Sequence, residues 1–289
     1  MSEINISISS YSVHGMMMKK EIDIFRFMDL VKYRYRLDYI DIWAFIMKPL
    51  EEDYISKLKK SLDDNNLILA NLCVDGPHLW MDDEAMRAAN KEKMLQTLKA
   101  AETLGAQTIR IDFGGPSPWM KTDKTQPFDP RTMTEEAFDY IVSTYKEYAD
   151  ICETFGAKIG PENHWGFDTV PEYLVRVKEA VNHPSYEHLF HIDDNFDGDT
   201  ELGEKYAIET AMHTHVTASS IPNIKKYIKA LLNAGYKGVF SVEHHSGKHE
   251  LDRIEWQLGS LRAILAEVKE EGVDAEYSVD FPNIIYENI

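Results

Sequence analysis

Apolar and polar positions along this chain change period again and again, and each change marks an element. Residues 4–11 (INISISSY) alternate apolar with polar, the period of a strand. Residues 21–35 then carry Ile22, Ile24, Phe25, Met28, Leu30 and Val31 at helical spacing. The exchange recurs to the end of the chain. Strands are predicted over residues 37–45, 67–74, 107–113, 158–162, 189–193, 212–217 and 238–243. Helices are predicted over residues 54–63, 85–104, 134–155, 170–181, 202–209, 223–233 and 251–268. Residues 67–74 (LILANLCV) are nearly all apolar, as in a parallel strand covered on both faces. Gly105, Gly156 and Gly235 stand where helices stop, Thr132 and Thr134 where one can be capped, and Pro171 in a first turn.

Eight strand–helix units in a chain of 289 residues predict an α/β fold, a single (β/α)₈ TIM barrel. The rival is a doubly wound open sheet. That fold usually carries a glycine-rich phosphate loop after its first strand, and Ser9-Ser10-Tyr11-Ser12-Val13-His14-Gly15 is not one. No Gly/Ser/Pro-rich linker, internal repeat or low-complexity tract divides residues 1–289, which favours one domain.

In such a barrel the chemistry sits at the C-terminal ends of the strands. Strand three ends in Asp75-Gly76-Pro77-His78 and strand four in Arg110-Ile111-Asp112-Phe113. Strand five ends in Glu162-Asn163-His164-Trp165, strand six in His191-Ile192-Asp193-Asp194-Asn195, strand seven holds His213-Thr214-His215, and strand eight ends in Glu243-His244-His245. Six of the 11 histidines lie in the last four of these stretches, more than a packed barrel needs. Residues two apart share a strand face, so Gly160 pairs with Glu162, His191 with Asp193, His213 with His215, and Ser241 with Glu243. Glu162, Asp193, His215 and Glu243 then converge from four adjacent strands. Three carboxylates and an imidazole need a compensating charge when buried together, and a divalent cation supplies it. Oxygen and nitrogen donors without a thiolate suit Mn²⁺, Co²⁺, Mg²⁺ or Zn²⁺. Taken singly, each residue has an ordinary reading: Glu162 as a helix cap, His213 and His215 as satisfied core histidines. Asp194 is an alternate for Asp193, because a slip of one residue reverses the face. His244 and His245 cannot both face inward.

These stretches resemble the sugar phosphate isomerase/epimerase superfamily of xylose isomerase-like TIM barrels. The resemblance covers nearly the whole chain. It is carried by Glu162-Asn163-His164-Trp165-Gly166, Asp193 with Asn195-Phe196, His213-Thr214-His215, and Ser241-Val242-Glu243. It implies one bound divalent metal, Mn²⁺ favoured, on Glu162, Asp193, His215 and Glu243, with the second histidine of the His-x-His pair as ligand. The segment Asp193-Asp194-Asn195-Phe196 is one residue shorter than the superfamily's usual spacing, which keeps Asp194 in play. The superfamily spans isomerases, ketose 3-epimerases, inosose dehydratases, deglycosylating lyases and endonuclease-IV-like repair enzymes, so fold and metal carry over better than substrate.

The activity expected is proton transfer beside a sugar carbonyl through a metal-stabilised enediolate, with Glu162 and Glu243 as the catalytic pair. His164, His191, Arg110, Trp165 and His244 are candidates for substrate contact, and Trp43, Trp80 and Trp119 for packing on a sugar face. A metal-dependent lyase or dehydratase acting on a cyclic polyol or oxidised glycoside is the alternative. A non-catalytic sugar-binding subunit and an endonuclease-IV-like hydrolase rank lower.

Composition narrows the partners. The net charge of −18 argues against nucleic acid, whose binders neutralise phosphates with Lys and Arg, and toward a neutral sugar, polyol or glycoside. Ser219-Ser220 and Ser246-Gly247-Lys248 lend only weak support to a phosphate site. No apolar run reaches the ~18 residues of a membrane helix, and the first residues lack the basic-then-apolar order of a secretory signal. Two distant cysteines, Cys73 and Cys152, fit a reducing cytoplasm. A homo-oligomer is compatible with all of this.

Overall fold

The computed structural model describes residues 4–47, 50–116, 129–192 and 196–273. Asp193, Asp194 and Trp119 lie outside the described residues. Among the described residues, eight parallel strands run in chain order: β1 (Asn5–Ile8), β2 (Tyr39–Trp43), β3 (Ile68–Val74), β4 (Thr108–Ile111), β5 (Lys158–Gly160), β6 (His188–His191), β7 (Ala211–Val216) and β8 (Val239–Val242). The helices are α1 (His14–Met18), α2 (Ile24–Asp29), α3 (Glu52–Asp64), α4 (Glu84–Leu104), α5 (Glu135–Thr154), α6 (Pro171–Val181), α7 (Thr200–Thr210), α8 (Ile224–Asn233) and α9 (Glu250–Glu271).

The strands form two four-stranded parallel sheets, β1-β8-β7-β6 and β2-β3-β4-β5. Single parallel bridges join them at both seams: Ser9 to Asp41 on one side, Ile159 to Tyr186 and Glu162 to Leu189 on the other. Following the strands through both seams returns the order one to eight, the (β/α)₈ arrangement. The seam beside β5 is narrow for a local reason. A Cβ on Gly160 would stand 1.6 Å from the Glu187 carbonyl oxygen, so only glycine lets the two backbones approach. Leu189 then donates to the Pro161 carbonyl at 2.8 Å, just beyond the end of β5.

The helices form where the periodicity places them and stop for identifiable reasons. Thr134 accepts from the Ala137 amide at the start of α5. Gly105 ends α4 in the left-handed region, and Pro171 opens α6. The helix expected over residues 21–35 is α2 followed by a π-helical turn, Leu30–Arg34. The five-residue α1 was not expected, being too short to show a period.

Apolar core lies between the strands and the helices: Ile42, Leu72 and Phe240 of the strands and Leu58, Ile141, Leu174 and Leu258 of the helices are all buried. The lumen is different. Ser7, Ser9, Asp41, Asn71, Thr108, Arg110, Glu162, His213, His215 and Ser241 are all buried. Asp41 of β2 meets His213 of β7 at 2.7 Å across it. A barrel of this kind is ordinarily filled by branched aliphatic side chains; here the inward positions are polar and lead up to the C-terminal mouth.

Candidate metal centre

At the end of β7, His215 is wholly buried and aims Nδ1 at two carboxylates. Glu162 Oε1, just past β5, lies 2.7 Å away, and Glu243 Oε2, just past β8, lies 3.3 Å away. Ser9 donates to the other oxygen of Glu243 at 3.3 Å. His191, at the end of β6, puts Nδ1 3.7 Å from Glu162 Oε1. Burial opposes charge on all three central groups, but their mutual attraction outweighs it. His215 is lifted well above the usual imidazole range by Glu243 and Glu162. Glu162 is held well below the carboxylate range by His215 and Arg110, and Glu243 is held down by His215 and His245.

A second half of the site descends from β4. Arg110 is 3% exposed and meets Asp75 at 2.5 Å, Asp112 at 3.1 Å and, through Nε, Glu162 Oε2 at 3.0 Å. The Trp165 indole donates to Asp112 at 3.1 Å, and the Trp43 indole to Asp75 at 2.5 Å. His164 stands at the rim with its side chain 39% exposed, Nδ1 3.7 Å from Asp112. Burial works against its charge, yet Asp112 and Glu162 raise its pKa to about 9.

Glu162, His215 and Glu243 therefore meet as the sequence indicated, with Arg110, His164 and His191 around them. Trp165 is buried and tied to Asp112, and Trp80 lies under the Arg87 guanidinium, 4.4 Å from its centroid. His244 is elsewhere: its ring is taken up by Ser246 at 2.8 Å and the Lys248 carbonyl at 3.1 Å. His245 is the one that meets Glu243, at 2.8 Å, with its side chain 46% exposed. Parity carried one step further would have found it, since residues 241, 243 and 245 share a face and His244 lies on the other. Asn163 clamps β5 to β6, accepting from the His191 amide at 2.8 Å and donating to its carbonyl at 2.9 Å. Asp41, Asp75 and Asp112 were not singled out as site residues; their inward parity was readable, their partners were not.

Among the described residues, three sets of donors lie within 4.8 Å of one another: Glu162, His215 and Glu243; His191, Glu243 and His245; Asp41, His213 and His215. The first set fits a divalent cation best. It has two ionised carboxylates and one imidazole, all buried, all facing one point. Cys73 is not part of it. It lies 3.7 Å from the opposite ring nitrogen of His215, and burial pushes its thiol up to about 11, so it stays protonated.

Among curated proteins, no sequence match reaches significance. Solved structures do match. A D-psicose 3-epimerase crystallised in the presence of D-fructose has a TM-score of 0.68 at 18% identity, over 92% of this chain and 99% of that one. The IolI protein with a bound zinc atom has a TM-score of 0.70 at 13% identity, over 93% and 99%. The probable 3-DHS dehydratase AsbF of Bacillus anthracis has a TM-score of 0.65 at 12% identity, over 90% and 99%. At such identities the likeness establishes the fold. The family model described as xylose isomerase-like TIM barrel matches residues 34–264. With four-fifths of its length matched by that model and its strands in the order the fold requires, the chain belongs to the xylose isomerase-like TIM-barrel family.

Proposed function

We propose that this protein is a divalent-metal-dependent isomerase or epimerase that moves a proton next to the carbonyl of a small sugar or polyol. The observation that carries the reading is the convergence of Glu162 and Glu243 on His215 Nδ1 at 2.7 and 3.3 Å. These three residues would hold the ion, Mn²⁺ by preference, with Asp193 or Asp194 as a further donor. When bound, the ion supplies Lewis acidity toward a carbonyl oxygen and a neighbouring hydroxyl.

The chain's own groups move the proton. Glu162 and Glu243 are both ionised at neutral pH, so each can accept one. They differ in what stands behind them. Glu243 Oε2 is backed by the half-exposed His245 at 2.8 Å, which gives a proton a route to water. Glu162 is buried and backed by Arg110, which cannot take a proton. The closer route to water is therefore at Glu243, since the partly exposed His164 stands 4.0 Å from Glu162 Oε2. His164, exposed at the rim, and His191 are placed to meet substrate hydroxyls. Arg110 and His164 are paired with carboxylates, which leaves little to attract a phosphate and supports a neutral substrate.

His245 also supports a second reading. A half-exposed imidazole beside Glu243 can donate a proton to a leaving group, as a dehydratase or a lyase on an oxidised glycoside requires. Both cysteines are buried free thiols, consistent with a cytoplasmic enzyme. Turnover of the Mn²⁺-loaded protein on ketoses, inososes and oxidised glycosides in D₂O, read by mass spectrometry, separates the readings. An isomerase or epimerase yields product heavier by solvent deuterium alone. Loss of water or of an aglycone replaces that reading with the lyase, and no turnover on the panel refutes both.

A further inference from the structure

Arg110 is a fixed cation inside a site that a second cation must enter. Its guanidinium has no room to swing aside. Asp75 and Asp112 grip Nη1 at 2.5 and 3.1 Å, and each carboxylate is itself pinned by an indole, Trp43 on Asp75 and Trp165 on Asp112. Nε lies 3.0 Å from Glu162 Oε2. The two oxygens of Glu162 thus face different neighbours: Oε1 faces His215 at 2.7 Å, and Oε2 faces Arg110. An arginine stays protonated at any pH at which the protein is folded, so this charge remains when an ion arrives.

We propose that Arg110 is a positioning residue that keeps Glu162 a one-oxygen donor and weakens the site's hold on its ion. The inference rests on the reading of Glu162 as a metal ligand. Its two effects act in the same direction. The guanidinium stands in ion-pair contact, 3.0 Å from the oxygen that would otherwise make Glu162 bidentate. Its positive charge, in a water-poor mouth, also opposes a divalent cation a few ångströms away. The ion of this protein is consequently exchangeable, and the buried pair with Glu162 keeps that carboxylate in place when the ion leaves.

The sign of the test is opposite to that of a structural role. Affinity for Mn²⁺ is measured by chelator competition on the full-length chain and on Arg110→Met, Arg110→Gln and Arg110→Lys, with circular dichroism as the fold control. Arg110→Met and Arg110→Gln are expected to bind Mn²⁺ at least about 10-fold more tightly because a nearby positive charge is gone, opposite in sign to the loss that usually follows removal of a group behind a metal ligand. Arg110→Lys, which keeps the charge, stays close to wild type. If Arg110→Met does not fold, Arg110→Gln decides, because its amide can still hold Asp75 and Asp112. Folded neutral variants that bind Mn²⁺ as weakly as wild type, or more weakly, overturn the proposal while leaving the metal site intact. Absence of Mn²⁺ binding by wild type overturns the ligand reading itself and this proposal with it.

Discussion

Glu162 stays ionised in the middle of the barrel because its two oxygens each face a cation, His215 at 2.7 Å and Arg110 at 3.0 Å. Replacing the carboxylate by an amide removes the charge that draws in the ion and the group that takes the proton. Glu162→Gln and Glu243→Gln are each expected to lower turnover by about 10²–10⁴-fold or more, and elemental analysis should show metal content falling from about one ion per chain. Full metal occupancy in the double variant would refute the site. His164 yields a pH prediction for the metal-free protein. Its folded pKa, about 9, lies above the ordinary histidine value of 6.5. Its contribution to stability is therefore fully present below pH 6.5 and is lost as pH rises through about 9. Denaturant midpoints measured across that window should fall, and Asp112→Asn, which removes its main partner, should flatten the fall. At this scale the sequence spoke clearly for Glu162, His215 and Glu243, since strand parity alone brings them inward. It named His244 rather than His245, although the parity that brings Glu243 inward, carried two residues on, favours His245.

At the scale of elements, the strands and helices follow the hydrophobic period closely. The helix predicted over residues 85–104 is Glu84–Leu104, and that over 223–233 is Ile224–Asn233. One departure bears directly on the site. The strand expected over residues 158–162 is regular only for Lys158–Gly160, since Pro161 has no amide to offer. Beyond that stop Glu162 keeps an isolated bridge to Leu189 of β6, and its side chain meets His215. Gly160 is the element-scale vulnerability. Gly160→Ala puts a methyl group 1.6 Å from the Glu187 carbonyl and must separate β5 from β6. A loss of about 3 kcal/mol or more is expected, read as a lowered urea midpoint. A midpoint unchanged from wild type would mean that the seam is not held as described. Asn163, whose side chain bridges to the backbone of His191, shows how the same seam is repaired by a side chain where ladder bonds are missing.

At the scale of the whole molecule, an ion that binds only the folded state must stabilise it. Saturating Mn²⁺ at 100 times its dissociation constant adds about 2.7 kcal/mol, enough to raise Tm by several degrees, and a chelator should return the melting curve to that of the metal-free protein. A Tm indifferent to both would argue against a site among these residues. The net charge of −18 belongs to this scale too, bearing on partners rather than on fold. Among the described residues, no helix is long and apolar enough to cross a membrane.

Hydrophobic periodicity by itself determined the order of strands and helices, and with it the barrel, because burial of one face per element is a local demand written every two or every three to four residues. Parity at the strand ends likewise determined that carboxylates and imidazoles collect at one mouth. Only the tertiary structure decided who meets whom. Arg110 on Glu162, Trp165 on Asp112, His245 on Glu243 and Asp41 on His213 are contacts between residues 52 to 172 positions apart or, for His245, set close to a strand end. No local period encodes such contacts. They exist because closing eight strands into a ring brings inward-facing positions within hydrogen-bond reach, where charge and shape, rather than sequence spacing, select the partner.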